Sequence, residues 1–341
     1  MQVFFAEREV SGIQRSLQEN SFDQGRGADY RNGAPAACDP AWKDDSPMTL
    51  TRLAPILFVL LWSTGWVSAK YATFFADPLT FLVVRYGMAV VLFYIVCRIG
   101  GVAWPKDRAS WLHAIVSGMF LHGLYLGMVW WAIGQGVPAA LSGIIAGLQP
   151  LMTGIAAAYL ISEDLTTSQR IGLVIGFVGV AIAVLPKVLV IDASTIPAYA
   201  VAVNVLAMAC VTAGTIYQKR LVKEGDLRAV ATLQYVGALM VTVPAAVALE
   251  NLHVDWSLGF FATLAWSVIG ISMGAVALLL YLIRRGDVSK AASLIYLVPP
   301  LAALEAAIAF GEELTVPMMI GTCVVMVGVY LTNRKGTAKR I

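Results

Sequence analysis

The chain has 341 residues, of which 59% are hydrophobic and 13% charged, with a net charge of +3. A soluble domain carries about a quarter charged residues, so this composition excludes a water-facing globule and points to a bilayer as solvent. The small net charge gives no reason to expect nucleic acid as a partner.

Residues 1–48 are polar and lack a long apolar run. They read either as a disordered N-terminal tail or as a mis-assigned start, with synthesis beginning at Met48. Ten apolar segments follow, at about Leu53–Ala72, Pro78–Cys97, Trp111–Gly134, Pro138–Leu160, Gln169–Pro186, Ala198–Leu221, Leu227–Leu249, Phe260–Ile283, Val288–Phe310 and Val316–Thr332. Each is near the ~20 residues that cross a hydrocarbon core. The connections are too short to hold a soluble catalytic domain. A basic tail, residues 334–341, closes the chain.

The segments repeat. Pro150 answers to Pro299, Glu163-Asp164-Leu165-Thr166 to Glu312-Glu313-Leu314-Thr315, Gly172 to Gly321 and Gly179 to Gly328, all at an offset of 149. Gly65 likewise falls on Gly214, Asp77 on Asp226, Arg85 on Gln234 and Tyr86 on Tyr235. Residues 49–197 and 198–333 are therefore two copies of one five-helix unit. Five is odd, so the second copy enters the membrane inverted.

Charge supports the inversion. With the N-terminus in the cytoplasm, inner loops collect Arg98, Lys106, Arg108, Arg170, Lys219, Arg220, Arg284 and Arg285, while outer loops keep Lys70 and Lys187. Both termini are then cytoplasmic. The expected fold is an all-α polytopic membrane protein with ten transmembrane helices as two inverted five-helix repeats. Such repeats belong mostly to secondary transporters, with the substrate between the halves and one half rocking against the other.

At this point the chain resembles the EamA-type transporters of the drug/metabolite transporter superfamily. The resemblance rests on the two halves of the form apolar–Pro–apolar–Glu–x–Leu–Thr–x5–Gly and on the first-helix motif Trp62-Ser-Thr-Gly65-Trp66. It covers about residues 50–333 and implies an exporter of small metabolites, often amino acids, in a bacterial cytoplasmic (inner) membrane. Small multidrug exporters of that superfamily use a first-helix glutamate, and Leu53–Lys70 contains no acid.

Several residues stand out as site candidates. Pro150, Pro299 and Pro300 sit mid-segment and are expected to break helices four and nine at the cavity wall, freeing the carbonyls of Ala146, Ile295 and Tyr296; the alternative is a packing kink. Trp62 and Trp66 share one helix face, and Tyr125, Tyr281 and Tyr296 add aromatics for a flat or cationic solute. Trp130 and Trp131 lie near a helix end and read as interface anchors. Arg85, two turns into a span, is placed to hold a substrate carboxylate, or is a structural or snorkelling arginine.

Glu305 is the acid well inside a span. It is a candidate for proton coupling, although reaching the outer interface is the favoured alternative. Gln149, beside Pro150, is a substrate candidate, whereas Ser142, Asn204, Gln218 and His122 read as helix–helix bonds. The repeated glycines read as close packing, and Glu163-Asp164 and Glu312-Glu313 as turn acids before helix starts.

The reading that follows is a transporter exporting small metabolites, amino acids or related compounds, by alternating access. A proton-coupled multidrug exporter of lipophilic cations is the alternative, and a polytopic membrane enzyme is disfavoured because no nucleophile or phosphate-loop motif is present. Cys38, Cys97, Cys210 and Cys323 are widely spaced without a CxxC, and the three histidines are scattered, so neither metal nor cofactor is expected. The expected partners are the small solute and the lipid bilayer, with a homodimer left open.

Overall fold

The computed structural model describes residues 48–161, 166–189, 196–222, 225–275, 277–278 and 297–333. The expected N-terminal tail, the acidic pair Glu163-Asp164, Tyr281, Tyr296 and the basic C-terminal tail lie outside the described residues. The described helices are α1 Met48–Ala72, α2 Pro78–Ile99, α3 Arg108–Gly134, α4 Ala139–Ile145, α5 Leu148–Ile161, α6 Thr167–Leu189, α7 Ala198–Leu221, α8 Leu227–Leu249, α9 Leu258–Gly274, α10 Val298–Phe310 and α11 Val316–Asn333.

Local chemistry sets several boundaries. Pro78 opens α2, where its missing N–H costs no hydrogen bond. The Asp107 side chain accepts from Ser110 N at 2.8 Å and starts α3. Gly311 ends α10 at φ 65°, a left-handed position that glycine adopts without strain.

Among the described residues, seven helical stretches are long and apolar enough to cross a membrane, and three apolar helices, Leu258–Gly274, Val298–Phe310 and Val316–Thr332, are shorter. The eighth and ninth expected spans run into residues outside the described set.

The proline expectation needs correction. Segment four does break, but at Ala146 and Gly147, ahead of Pro150. The Ala146 carbonyl is not left for a cavity water, because Gln149 N donates to it at 3.1 Å in a tightened turn. Pro299 and Pro300 stand in the first turn of α10, where they remove no hydrogen bond within that helix.

Equivalent helices pair antiparallel across the two copies. In α2 and α8, Thr80 lies by Glu250, Tyr86 meets Tyr235 with ring centroids 5.7 Å apart, and Cys97 lies by Thr232. A Cβ placed on Gly143 of α4 would lie 2.9 Å from Ala302 of α10, while Ala139 bonds to Glu312 beyond the other end. In α6 and α11, Gly172 faces Gly328 while Gly179 faces Gly321. This reciprocal crossing is what a two-fold axis in the membrane plane produces.

The helices therefore group by these pairs rather than by repeat. One group is α2, α3, α8 and α9; the other is α4, α5, α6, α10 and α11. Among the described residues they meet mainly through α1 and α7, plus a short seam between α3 and α4. Each group therefore takes helices from both copies, and neither group coincides with one repeat.

The two linking helices bond to both groups. From α1, Ser68 Oγ and Ser267 Oγ of α9 are 2.6 Å apart, and Ser63 Oγ donates to Glu305 Oε1 of α10 at 2.6 Å. From α7, Tyr217 Oη lies 2.8 Å from His113 Nδ1 of α3, and Asn204 Nδ2 donates to Ser142 Oγ of α4 at 2.7 Å.

Candidate functional site

The first-helix pair Trp62 and Trp66 stands between two lobes of a central cavity, and both residues line each lobe, as does Tyr125. The first lobe, of about 110 Å³, belongs to the α2–α3–α8–α9 group and carries Arg85, His122, Trp130, Tyr235 and Ser272. The second, of about 60 Å³, belongs to the other group and is walled by Gly147, Gln149, Pro150, Pro299 and Val325. The candidates Trp62, Trp66, Arg85, Tyr125, Gln149, Pro150 and Pro299 thus converge on one place. Tyr296 lies outside the described residues, and neither lobe is lined by Pro300 or Glu305.

Arg85 is 4% exposed, which overturns the snorkelling alternative. Its Nη2 donates to Ser272 Oγ at 3.2 Å, and its Cζ lies 5.3 Å from the Trp130 ring centroid. Trp130 in turn stacks on Phe81 with centroids 5.4 Å apart. The interface-anchor reading of Trp130 is overturned, since it is 2% exposed and supports the arginine from inside the protein. Trp131, partly exposed and tilted against Tyr199, takes no part in the cavity.

The first lobe is also lined by His122, read from the sequence as a helix–helix contact, and by Ser272, which the sequence did not single out. Each lies on a π-helical stretch, Met119–Leu124 in α3 and Trp266–Gly274 in α9. The two stretches occupy equivalent places in the two copies, and each turns a polar side chain toward the cavity. Such insertions recur at functional sites, but a residue count alone does not mark them. The ring of His122 stacks on Tyr235 with centroids 4.8 Å apart, and Tyr86 Oη donates to the His122 carbonyl at 3.0 Å.

Glu305 does not reach outward to an interface. Oε1 accepts a hydrogen bond from the Ser63 hydroxyl, and Oε2 is buried without a partner among the described residues. Glu312 likewise departs from the turn reading. Its oxygens accept from Ala139 N at 3.0 Å and Ala140 N at 2.9 Å, so it caps α4 of the other copy rather than the helix that follows it. Glu250 does the same for α2, accepting from Leu79 N at 2.7 Å and Thr80 N at 2.8 Å.

A separate cleft of about 660 Å³ opens between α5, α6 and α7 and is bounded by Met152, Ala156, Phe177, Thr212 and Tyr217. Ala156 and Thr212 are the repeat equivalents of Glu305 and Ser63. The cleft thus stands where the first copy lacks the bond that joins α1 to α10.

The EamA-like transporter family model matches the chain twice, at residues 51–185 and 198–334. An uncharacterized transporter, YvbV, of Bacillus subtilis is 25% identical over 300 residues, 86% of this chain and 95% of that protein. A protein of Escherichia coli named "probable amino-acid metabolite efflux pump" is 24% identical over 293 residues, 81% of this chain and 92% of that one. A crystal structure aligns with a TM-score of 0.59 at 19% identity, covering 86% of this chain and 100% of that one, which is a likeness of fold.

Proposed function

The chain belongs to the EamA-like transporter family, and from that premise we propose that it exports small metabolites, amino acids or related compounds, by alternating access. The observation that carries the reading is the central cavity. Both helix groups wall it, aromatic rings partition it, and a buried arginine is fixed inside it by Ser272 and Trp130. The name of the E. coli relative, an amino-acid metabolite efflux pump, supports the same substrate range.

In this mechanism the two groups move about α1 and α7, with Trp62 and Trp66 on the dividing line. The Ser63–Glu305 bond holds α1 to α10 toward the outer face, and the Ala156–Thr212 cleft supplies the route from the cytoplasm. The bias of basic residues toward inner loops supports a bacterial cytoplasmic membrane with both termini inside. A lipophilic-cation exporter fits less well, because the fixed charge lining the cavity is positive and Glu305 is turned to Ser63 instead.

The test is counterflow in proteoliposomes with a panel of labelled amino acids, nucleosides and lipophilic cations. Saturable counterflow of metabolites that is lost in Arg85→Ala supports the reading. Flux that never saturates, or no flux of any panel member, removes it.

A further inference from the structure

Among the described residues that line the cavity, the fully buried side-chain atoms left without a hydrogen-bond partner are donors. Arg85 Nε and Trp66 Nε1 are buried and have no partner among the described residues, and both are donors. Their side chains are nine-tenths buried or more, at 4% and 6% exposed, and both line the first lobe. A buried donor without an acceptor is costly, and a native structure keeps one where a water, an ion or a ligand completes it.

The charge inventory points the same way. Among the described residues, neither lobe is lined by Asp or Glu. Three acids of the described residues bond elsewhere: Glu305 with Ser63, Glu312 on the start of α4, Glu250 on the start of α2. Among the described residues, Arg85 is therefore met by a neutral hydroxyl and an aromatic face. Neutral partners soften but do not cancel a charge in low dielectric. His122, the other basic group of the lobe, adds a neutral ring or a second positive charge, never a negative one.

These demands differ among candidate solutes. A carboxylate suits the planar guanidinium fork and can accept from the indole N–H. An ammonium group would find no carboxylate to meet it and would share the lobe with Arg85, at like-charge cost. The aromatic face nearest that charge, Trp130, is already taken by Arg85.

Resting on the exporter reading above, we propose that the cavity selects monoanionic carboxylates with a flat apolar body and no free ammonium group, such as aromatic 2-oxo acids or N-acylated amino acids, over the zwitterionic amino acids of the same skeleton. Arg85 and Trp66 grip the carboxylate, and the rings of Trp62 and Tyr125 hold the body.

Three probes share one ring and differ only in charge: 4-hydroxyphenylpyruvate, tyrosine and tyramine. Counterflow with the full-length protein is expected to give the oxo acid a KM at least tenfold below that of tyrosine, and no saturable flux of tyramine. Arg85→Gln is expected to abolish the preference, while Arg85→Lys keeps the anion preference with a weaker KM; the lysine variant guards against a glutamine variant that merely fails to fold. Tyrosine carried as well as its oxo acid, or tyramine carried at all, overturns the proposal. If other amino acids are carried and none of the three probes is, the charge selection is wrong and the exporter reading stands. No saturable flux of any solute overturns both.

Discussion

Ser63 Oγ donates to Glu305 Oε1 at 2.6 Å, and the equivalent pair in the other copy, Thr212 and Ala156, makes no such bond. The contact joins a linking helix to one helix group, so it has to loosen if α1 and α10 part during transport. Glutamine at position 305 can still accept the hydrogen bond from Ser63 but cannot titrate. Glu305→Gln is expected to keep wild-type counterflow, and Glu305→Leu to lower it severalfold by removing the acceptor. If Glu305→Gln abolishes the response of the wild type to a pH gradient, the residue carries protons and is not merely a strut.

The cleft beside Thr212 gives a second test of the same asymmetry. In a background where Cys38, Cys97, Cys210 and Cys323 are serine, Thr212→Cys is expected to react with a membrane-impermeant thiol reagent applied to the cytoplasmic side. Ser63→Cys, at 0% exposed against α10, is expected to react at least tenfold more slowly from either side. Equal rates would reject the assignment of the cleft as the inner route.

The repeat was legible in the sequence because prolines, acids and glycines recur at one spacing and keep their order. Which copies touch was not, because an offset establishes equivalence and says nothing of contact. Tyr86 and Tyr235 were visible as equivalents, yet their meeting 5.7 Å apart is a property of the two-fold. Arg85, Trp62 and Trp66 stood out because charge and large rings at mid-span demand an explanation. Trp130 was misjudged because it lies near a helix end, where tryptophans ordinarily anchor at the membrane interface, yet it is 2% exposed. His122 was read as a helix–helix contact, and its ring does stack on Tyr235 of α8, but that reading did not place it on the cavity wall. Glu312 was placed at a helix start correctly in kind, but that helix belongs to the other copy, and no local pattern marks a contact 173 residues away.

That cap has a measurable cost. The first turn of α4 is buried, and Glu312 is the acceptor for Ala139 N and Ala140 N. Glu312→Ala leaves both donors unmet and is expected to cost about 0.5–2 kcal/mol, read as a lower melting temperature in detergent. Glu312→Gln, which keeps one oxygen, is expected to recover part of the loss. A melting temperature unchanged in Glu312→Ala would show that water replaces the cap.

The α6–α11 crossing makes the last prediction, because two opposing effects act on one methyl group. In an isolated helix, replacing glycine by alanine stabilises by about 1 kcal/mol. At Gly179 the added Cβ would lie 2.6 Å from Val325 N and 2.9 Å from Gly321 O. Those are backbone atoms of the facing helix, so no flexible side chain can swing away, and the helices must separate. Overpacking of this kind costs about 1–3 kcal/mol, which outweighs the gain in propensity. Gly179→Ala is therefore expected to lower the melting temperature. The control is Gly87→Ala, where nothing lies within 4 Å of the added Cβ, and there the melting temperature is expected to hold or rise. A stabilised Gly179→Ala would mean that α6 and α11 do not approach as closely as this packing requires.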